Sequence, residues 1–187
     1  MRKWTLTLAI SLIAANSAAA EEPAASDPLS PSRFSVQTGV GFFAEDNFDG
    51  FAWSGGASYH IDENWSAGVD LQVGVDDDFT FVSMPFFARY DFGDLPTDAP
   101  VLSQTHFFAK TGLGFTWAEF DGTVGPLNIK VDEDDTGVLW VIGGGVEYSF
   151  DEHFSLESQM LFNVTSNDFF DDDFYYSWQV IALRYRF

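Results

Sequence analysis

The last seven residues, Ile181–Phe187, have the sequence IALRYRF and end on an aromatic side chain. Successive side chains of a β-strand point to opposite faces, so this stretch has two different faces. One face carries Arg184 and Arg186, and the other carries the bulky apolar residues Ile181, Leu183, Tyr185 and Phe187. The C-terminus therefore predicts a strand with one apolar face and one charged face.

The same alternation recurs along the chain. Most of the alternating segments have about the 9 to 11 residues that a tilted strand needs to cross the hydrocarbon of a membrane. An even number of such strands, joined by polar turns, indicates an all-β fold, an eight-stranded antiparallel up-and-down transmembrane β-barrel. The predicted strands are Arg33–Phe43, Phe51–Ile61, Trp65–Val75, Phe79–Phe92, Thr105–Phe120, Val138–Phe150, Phe154–Val164 and Phe174–Phe187.

Every basic residue after Lys3 except Lys130 falls on the face opposite the bulky apolar side chains, and so do Asp70, Glu147 and Glu157. A soluble barrel would show the reverse pattern, with apolar residues inside. A lysine or arginine facing lipid costs roughly 2–4 kcal/mol at the bilayer midplane, which explains the segregation. We predict an ionic network inside the barrel, formed by Arg33, Asp70, Arg89, Lys110, Glu147, Glu157, Arg184 and Arg186.

The N-terminus has the pattern of a secretory signal. Arg2 and Lys3 precede an apolar run that is too short to span a membrane as a helix, and small residues follow it up to Ala20. We therefore expect a signal peptide over residues 1–20, a short periplasmic segment over 21–32 and a barrel over 33–187.

Composition narrows the class of protein further. The chain has no cysteine, 21 phenylalanines and a formal charge of −21. This charge argues against nucleic acid as a partner, because phosphates would be repelled. Acidic chains are often disordered, but those contain few aromatic residues, so the 18% aromatic content argues against disorder.

The links between strands alternate in character. Asp62-Glu63-Asn64 and Asp151-Glu152-His153 are tight polar turns, and Gly93–Gln104 is longer; these are the predicted periplasmic links. The four outward links are Ala44–Gly50, Asp76–Asp78, Asp121–Gly137 and Thr165–Asp173, and an even strand number leaves both termini in the periplasm. The outward end is strongly acidic, with Glu45, Asp46, Asp49, Asp76, Asp77, Asp78, Glu119, Asp121, Asp132, Glu133, Asp134, Asp135, Asp168, Asp171, Asp172 and Asp173.

Three stretches resemble a known family. The strand GLGF at 112–115, the run GGGVEY at 143–148 and the terminal ALRYRF at 182–187 are similar to the small eight-stranded outer-membrane β-barrels of the OmpA-transmembrane and OmpX type. The resemblance implies an outer-membrane location in a Gram-negative bacterium. It also implies that Leu183, Tyr185 and Phe187 form the signal read by the barrel-assembly machinery. The expected partners are outer-membrane lipid, lipopolysaccharide, that machinery and a surface partner, with the protein a monomer.

Several interpretations of the lumen and the loops remain open. Opposite charges in a barrel of this size can fill the bore as a structural plug, or they can line a narrow channel for small solutes. Small residues in the outer half of the lumen predict a water-filled vestibule there. The acidic outer surface is either a solvated face or a weak site for divalent cations that bridge to lipopolysaccharide. Phe48, Phe169, Phe170 and Phe174 are either interfacial girdle residues or anchors for a partner.

Acyl chemistry on lipid A is the remaining alternative. A hydrolase of that kind needs a nucleophile with a base in hydrogen-bonding reach. The histidines of the chain, His60, His106 and His153, all lie at periplasmic strand ends, on the wrong side for lipid A of the outer leaflet. We therefore predict a non-enzymatic barrel without catalytic residues, bound cofactor or dedicated metal site, acting in envelope integrity, adhesion or surface contact.

Overall fold

The computed structural model of the protein describes residues 33–45, 48–76, 79–94, 99, 101–124, 129–166 and 173–187. The predicted signal peptide and N-terminal segment lie outside these residues. No helix within the described ranges is long and apolar enough to cross a membrane. A single 3-10 turn among them, Leu102–Gln104, precedes the fifth strand.

Eight strands close into a barrel. Each pairs antiparallel with the next one along the chain, and β1 pairs with β8 to complete the ring. This architecture confirms the predicted fold class, and each predicted strand has one counterpart. The strands are β1 Phe34–Glu45, β2 Phe48–His60, β3 Trp65–Asp76, β4 Phe79–Asp94, β5 Thr105–Val124, β6 Ile129–Ser149, β7 Phe154–Thr165 and β8 Phe174–Arg186.

Two turns of the same construction join β2 to β3 and β6 to β7. Asp62 Oδ1 accepts the backbone N–H groups of Asn64 (2.9 Å) and Trp65 (2.7 Å). Asp151 Oδ1 accepts those of His153 (2.7 Å) and Phe154 (2.8 Å) in the same way. These backbone hydrogen bonds, the one from Phe154 first, lower the pKa of the exposed Asp151 carboxyl. The barrel end that carries these turns and Phe187 is called the turn end below, and the opposite end the loop end.

Burial follows the predicted alternation. Along the strands, buried residues inside the barrel alternate with residues that are exposed or half-buried on the outer wall. Within the strands, the exposed large side chains are apolar or aromatic. A wall of this kind suits lipid on the outside and a packed polar interior.

Strand β8 contains a β-bulge that interrupts this alternation. Val40 pairs with Ile181 and Gly41 pairs with Gln179, so Val180 is an extra residue in β8. Both Val180 and Ile181 are exposed on the outer wall. Odd-numbered residues therefore face the lumen up to Gln179, and even-numbered residues face it from Ala182 onward.

The hairpin of β5 and β6 is longer than predicted. Residues 121–137 were expected to form a loop, but β5 continues to Val124 and β6 begins at Ile129. These strands have 20 and 21 residues, against 12 or 13 in β1, β2, β3, β7 and β8. Asp and Gly are depleted in strands, so the sequence favoured a loop here, but pairing between the two strands overrides that preference. The hairpin extends past the pairing of β6 with β7, which ends at Leu139.

Candidate functional site: the filled lumen

Two buried glutamates lie at the centre of the charged layer near the turn end. Glu147 on β6 and Glu157 on β7 are paired in register, and both face the lumen with at most 2% exposure. Ser155 Oγ donates to Glu147 Oε1 at 2.7 Å. Three arginines surround these two carboxylates.

Arg89 on β4 makes contacts from its whole guanidinium group. Its Nη1 donates to Glu157 Oε2 at 2.6 Å and its Nη2 to Glu147 Oε2 at 2.5 Å. Its Nε donates to Asp91 Oδ1 at 3.0 Å, and the group lies 3.8 Å above the ring centre of Phe108. Arg89 is 1% exposed, so it neutralises two acids from the opposite wall inside the packed lumen.

The other two arginines come from the last strand. Arg184 Nη2 donates to Glu157 Oε2 at 2.6 Å and to Gln37 Oε1 of β1 at 2.7 Å. Arg186 forms an ion pair with Glu147 Oε1. Residues of β4, β6, β7 and β8 thus meet in one charged layer that crosses the bore.

A second ion pair lies farther from the turn end. Lys110 on β5 pairs with Asp70 on β3, and its Nζ is 3.9 Å from the ring centre of Phe87. Gln37 Nε2 donates to Asp70 Oδ1 at 3.1 Å while its Oε1 accepts from Arg184, which connects the two ion-paired groups. Gln159 accepts from Lys110 Nζ at 3.3 Å and donates to Gln179, which in turn donates to Ser54.

The loop end of the lumen is closed by aromatic rings. The Phe43 and Phe81 rings meet edge-to-face at 4.7 Å, and Phe81 meets Tyr175 in the same way at 5.2 Å. All three residues have 0% exposure. We call them the aromatic plug; Leu139, Val141, Ala52 and Ala118 are in the same buried cluster.

The aromatic plug corrects the prediction of a water-filled vestibule. A Cβ atom at Gly74 would overlap the rings of Phe81 and Phe43, and one at Gly50 would come within 2.6 Å of Phe43. Gly74 and Gly50 therefore make room for neighbouring rings, not for water. The sequence did not predict this packing, because it shows which residues are small but not which aromatic rings from other strands lie against them.

A small polar cavity separates the charged layer from the aromatic plug. Its volume is about 20 Å³, enough for about one water molecule. On β4 and β8 the lining residues follow the plug residues and precede the arginines. They include Ser83, Ser177 and Gln179, together with Ser54, Gln72 and Asn163 from neighbouring strands. This cavity has no room for a solute larger than water, and it lies between the charged layer and the aromatic plug.

Seven of the eight predicted network residues are brought together, and Arg33 is the exception. Arg33 precedes β1, so the barrel wall does not enclose it. It is exposed, and its Nη1 donates to the hydroxyl of Tyr59 on the outer wall at 3.1 Å. The network also contains a residue that the sequence analysis missed, Asp91, which binds Arg89 with an N–O distance of 2.5 Å. Its parity matches that of Arg89, a signal that was available.

Most of the predicted acidic surface cannot be described at side-chain level. The side chains of Glu119, Asp135 and Asp173 are described. The other acids of that set either lie outside the described residues or are described for the backbone alone. The backbone register nevertheless places Glu119 opposite Asp134 and Asp121 opposite Asp132 on β5 and β6. No group of three or more His, Cys, Asp or Glu residues in the described part is arranged to hold a metal ion. Cation binding by this surface stays a prediction.

The described contacts of His60 and His153 lie at the turn end. His60 Nε2 lies 3.3 Å from Ser35 Oγ, a serine–histidine contact that the sequence did not predict. Ser35 is 2% exposed and its Oγ is 2.7 Å from Ser58 Oγ, so a substrate has poor access to it. His153 Nδ1 is 2.8 Å from the carbonyl of Arg186, and its ring stacks on Tyr185.

Aromatic side chains form clusters on the outer wall near both barrel ends. Near the turn end, Phe34 meets Tyr59, Trp65 meets Tyr90, and Tyr185 meets Phe187 at centroid distances of 4.9 to 5.1 Å. Near the loop end, Phe174 contacts Phe162 at 5.2 Å. Phe174 thus takes a wall position suited to an interfacial girdle. Phe169 and Phe170 lie outside the described residues, and so does the side chain of Phe48.

Comparison with known proteins identifies relatives of this fold. The model of the family described as "Outer membrane protein beta-barrel domain" matches residues 5–187. A comparison with curated protein sequences gave no match.

Among solved structures, the chain is similar to Neisserial surface protein A (NspA), with 18% identity, a TM-score of 0.62 and coverage of 82% of this chain and 97% of that one. The N-terminal β-barrel domain of Pseudomonas aeruginosa OprF has 13% identity and a TM-score of 0.55, with coverage of 83% and 98%. Ail, the attachment invasion locus protein of Yersinia pestis, solved in complex with the heparin analogue sucrose octasulfate, has 13% identity and a TM-score of 0.54, with coverage of 84% and 100%.

Proposed function

Because this chain belongs to the outer membrane protein beta-barrel domain family, whose members are barrels of the Gram-negative outer membrane, we propose that it is a non-enzymatic, monomeric surface protein. It acts through the loop end, in envelope integrity, adhesion or contact with a surface partner. The observation that carries this proposal is the filled lumen, which leaves the outer surfaces as the parts able to act. Two proteins with this fold are named for the cell surface and for attachment, which is the kind of role proposed here.

The orientation of the barrel in the membrane is part of this proposal. Bacterial barrels have short turns in the periplasm and longer extracellular loops. We assign the turn end to the periplasm because both ends of the barrel chain lie there, together with the Asp62 and Asp151 turns, and because the β5–β6 hairpin lies at the loop end. The long β5–β6 hairpin then extends outward from the membrane.

The outward part of this hairpin carries the charge of the proposed surface. We define the acidic hairpin as residues 118–124 of β5 and 129–135 of β6, which contain six acids and one lysine. The register opposes acids on neighbouring strands, and like charges directly opposite one another destabilise a sheet. An arrangement that costs stability is consistent with a function in binding. Cationic partners, or divalent ions shared with lipopolysaccharide phosphates, match its charge.

Complementation of a deletion strain tests the surface role. One variant replaces Glu119 by Gln and Asp121, Asp132 and Asp134 by Asn, which neutralises the opposed acids of the acidic hairpin. We expect this variant to fold but to lose most of the restored detergent resistance or adherence, while a matched variant with Asp62→Asn and Glu63→Gln at the turn end retains it. Full complementation by the hairpin variant would contradict the proposal.

Two alternative functions have distinct signatures. Substantial single-channel conductance that falls when lumen charges are changed would favour a narrow channel. A change in the mass spectrum of lipid A that depends on the protein would favour an acyl-modifying enzyme. We expect identical lipid A spectra with and without the protein.

Deleting Phe187 should reduce insertion in cells. Phe187 is 60% exposed on the outer wall, and its ring meets Tyr185 at 5.1 Å, so its side chain is available to the assembly machinery. We expect the truncated protein to show much less of the folded, heat-modifiable species on a gel, whereas Phe187→Tyr retains it. Normal insertion of the truncated protein would show that the C-terminal residue is not read as an assembly signal.

A further inference from the structure

Like charges are paired across neighbouring strands on two walls of the lumen. Glu147 of β6 lies directly opposite Glu157 of β7, and Arg89 of β4 lies directly opposite Lys110 of β5. All four side chains are buried. Like charges directly opposite each other are destabilising. In the β4–β5 pair, Asp91 of β4 binds Arg89 and offsets part of the charge.

The β6–β7 pair contains no basic residue close enough to neutralise Glu147 and Glu157. Lys130 and His153 are its basic residues; Lys130 lies at the far end of β6, and His153 is an exposed residue of the turn. The cations that contact Glu147 and Glu157 come from other strands, Arg89 from β4 and Arg184 and Arg186 from β8. The carboxylates are therefore neutralised when the walls of the barrel come together.

Strand β8 brings two of these cations to the seam where the sheet closes on itself. Arg184 binds Glu157 of β7 on one side, and on the other side its Nη2 and Nη1 donate to Gln37 (2.7 Å) and Ser35 (3.4 Å) of β1. Its guanidinium group thus spans both strands that flank β8. Arg186 adds the ion pair with Glu147.

We propose that Arg184 and Arg186 are a closing latch, which makes the β8 seam the electrostatically required last contact of the barrel. Without β8 in place, the carboxylates of Glu147 and Glu157 lie face to face, and Arg89 is the one arginine that contacts them. With β8 in place, three arginines serve them. The two faces of β8 then have different tasks: Leu183, Tyr185 and Phe187 on the outer wall are the proposed assembly signal, and the arginines hold the closed ring.

Charge, not size, is what the latch contributes, and a set of paired variants separates the two. The first variant carries Arg184→Gln and Arg186→Gln, the second carries Glu147→Gln and Glu157→Gln, and the third carries all four substitutions. Each is refolded into lipid vesicles without assembly machinery, and the folded fraction is followed by heat-modifiable mobility across a urea series.

The arginine variant should lower the folded-to-unfolded ratio by about a hundredfold or more, because it leaves two buried acids with too few partners. The four-substitution variant should recover most of this loss, and Arg184→Lys with Arg186→Lys should fall between. If the arginine variant does not fold at all, folding of the four-substitution variant still supports the latch. A four-substitution variant no better than the arginine variant, or an arginine variant that behaves like the unchanged protein, would overturn it.

Hydrogen exchange locates the effect. In the arginine variant, or in the lysine variant if the former does not fold, amides of β1 and β8 at the seam should exchange at least tenfold faster than before, while amides shared by β2 and β3 change little. Equal acceleration at both places would mean that the arginines support the whole barrel, and the latch proposal would fail.

Discussion

Arg89→Ala should destabilise the barrel by about 3–5 kcal/mol in urea unfolding, the usual cost of removing one partner of a buried ion pair. Arg89 is 1% exposed and contacts three carboxylates, those of Asp91, Glu147 and Glu157. Alanine leaves the two glutamates with the β8 arginines alone and removes the cation that lies above the Phe108 ring.

The chain offers two controls for this measurement. Arg33→Ala removes an exposed arginine whose contact is the Tyr59 hydroxyl, and it should cost less than about 1 kcal/mol. Lys130→Ala changes a basic residue at the end of β6 far from Glu147 and should also have a small effect. If Arg89→Ala and either control lower the free energy of unfolding equally, the buried ion pairs of Arg89 do not stabilise the barrel as described.

Phe81→Ala should cost about 3–5 kcal/mol, the range for removal of a buried aromatic side chain from a packed core. Phe81 has 0% exposure, joins Phe43 to Tyr175, and lies against Gly74, where even a Cβ atom would not fit. Removing it breaks both edge-to-face contacts and leaves a space about the size of the ring.

Phe81→Leu is the matched control, because it keeps most of the volume and should lose clearly less stability. Both variants are compared by urea unfolding in the same vesicles. If Phe81→Ala costs less than about 1 kcal/mol, water fills the space freely, and the aromatic plug is not the tightly packed seal described above.

Periodicity predicted the fold because one physical requirement acts on every strand. Each strand has one face toward lipid and one toward the lumen, so a charged residue such as Arg89 or Glu147 reports the orientation of all its neighbours. The same argument placed Asp70, Lys110, Glu157 and the two β8 arginines inside the barrel, where the structure has them.

Three features depended on information that parity does not contain. The bulge at Val180 inverts the alternation within β8 and puts Tyr175 in the lumen, where a count from the C-terminus does not place it. The β5–β6 hairpin extends through an acidic segment, since pairing between two strands outweighs local preference. Arg33 has lumen parity but lies beyond the wall.

The sequence also could not predict which of the lumen charges form ion pairs with one another. Parity states which residues share the interior, but contacts across the bore depend on strand stagger, which brings Arg89 to Glu157 and Lys110 to Asp70. The cross-strand pairing of like charges became visible only with the register. The acidic outer surface, in contrast, stays a prediction from the sequence.

Single-channel recording of the refolded protein in a planar bilayer tests the filled lumen most directly. The protein is first shown to be folded by heat-modifiable mobility, a larger open barrel serves as the positive control, and recordings are made with and without calcium. We predict a silent bilayer in both conditions, because the aromatic plug and the charged layer close the bore in series. Steady openings of the folded protein would contradict this and would make the lumen charges the lining of a route for small solutes.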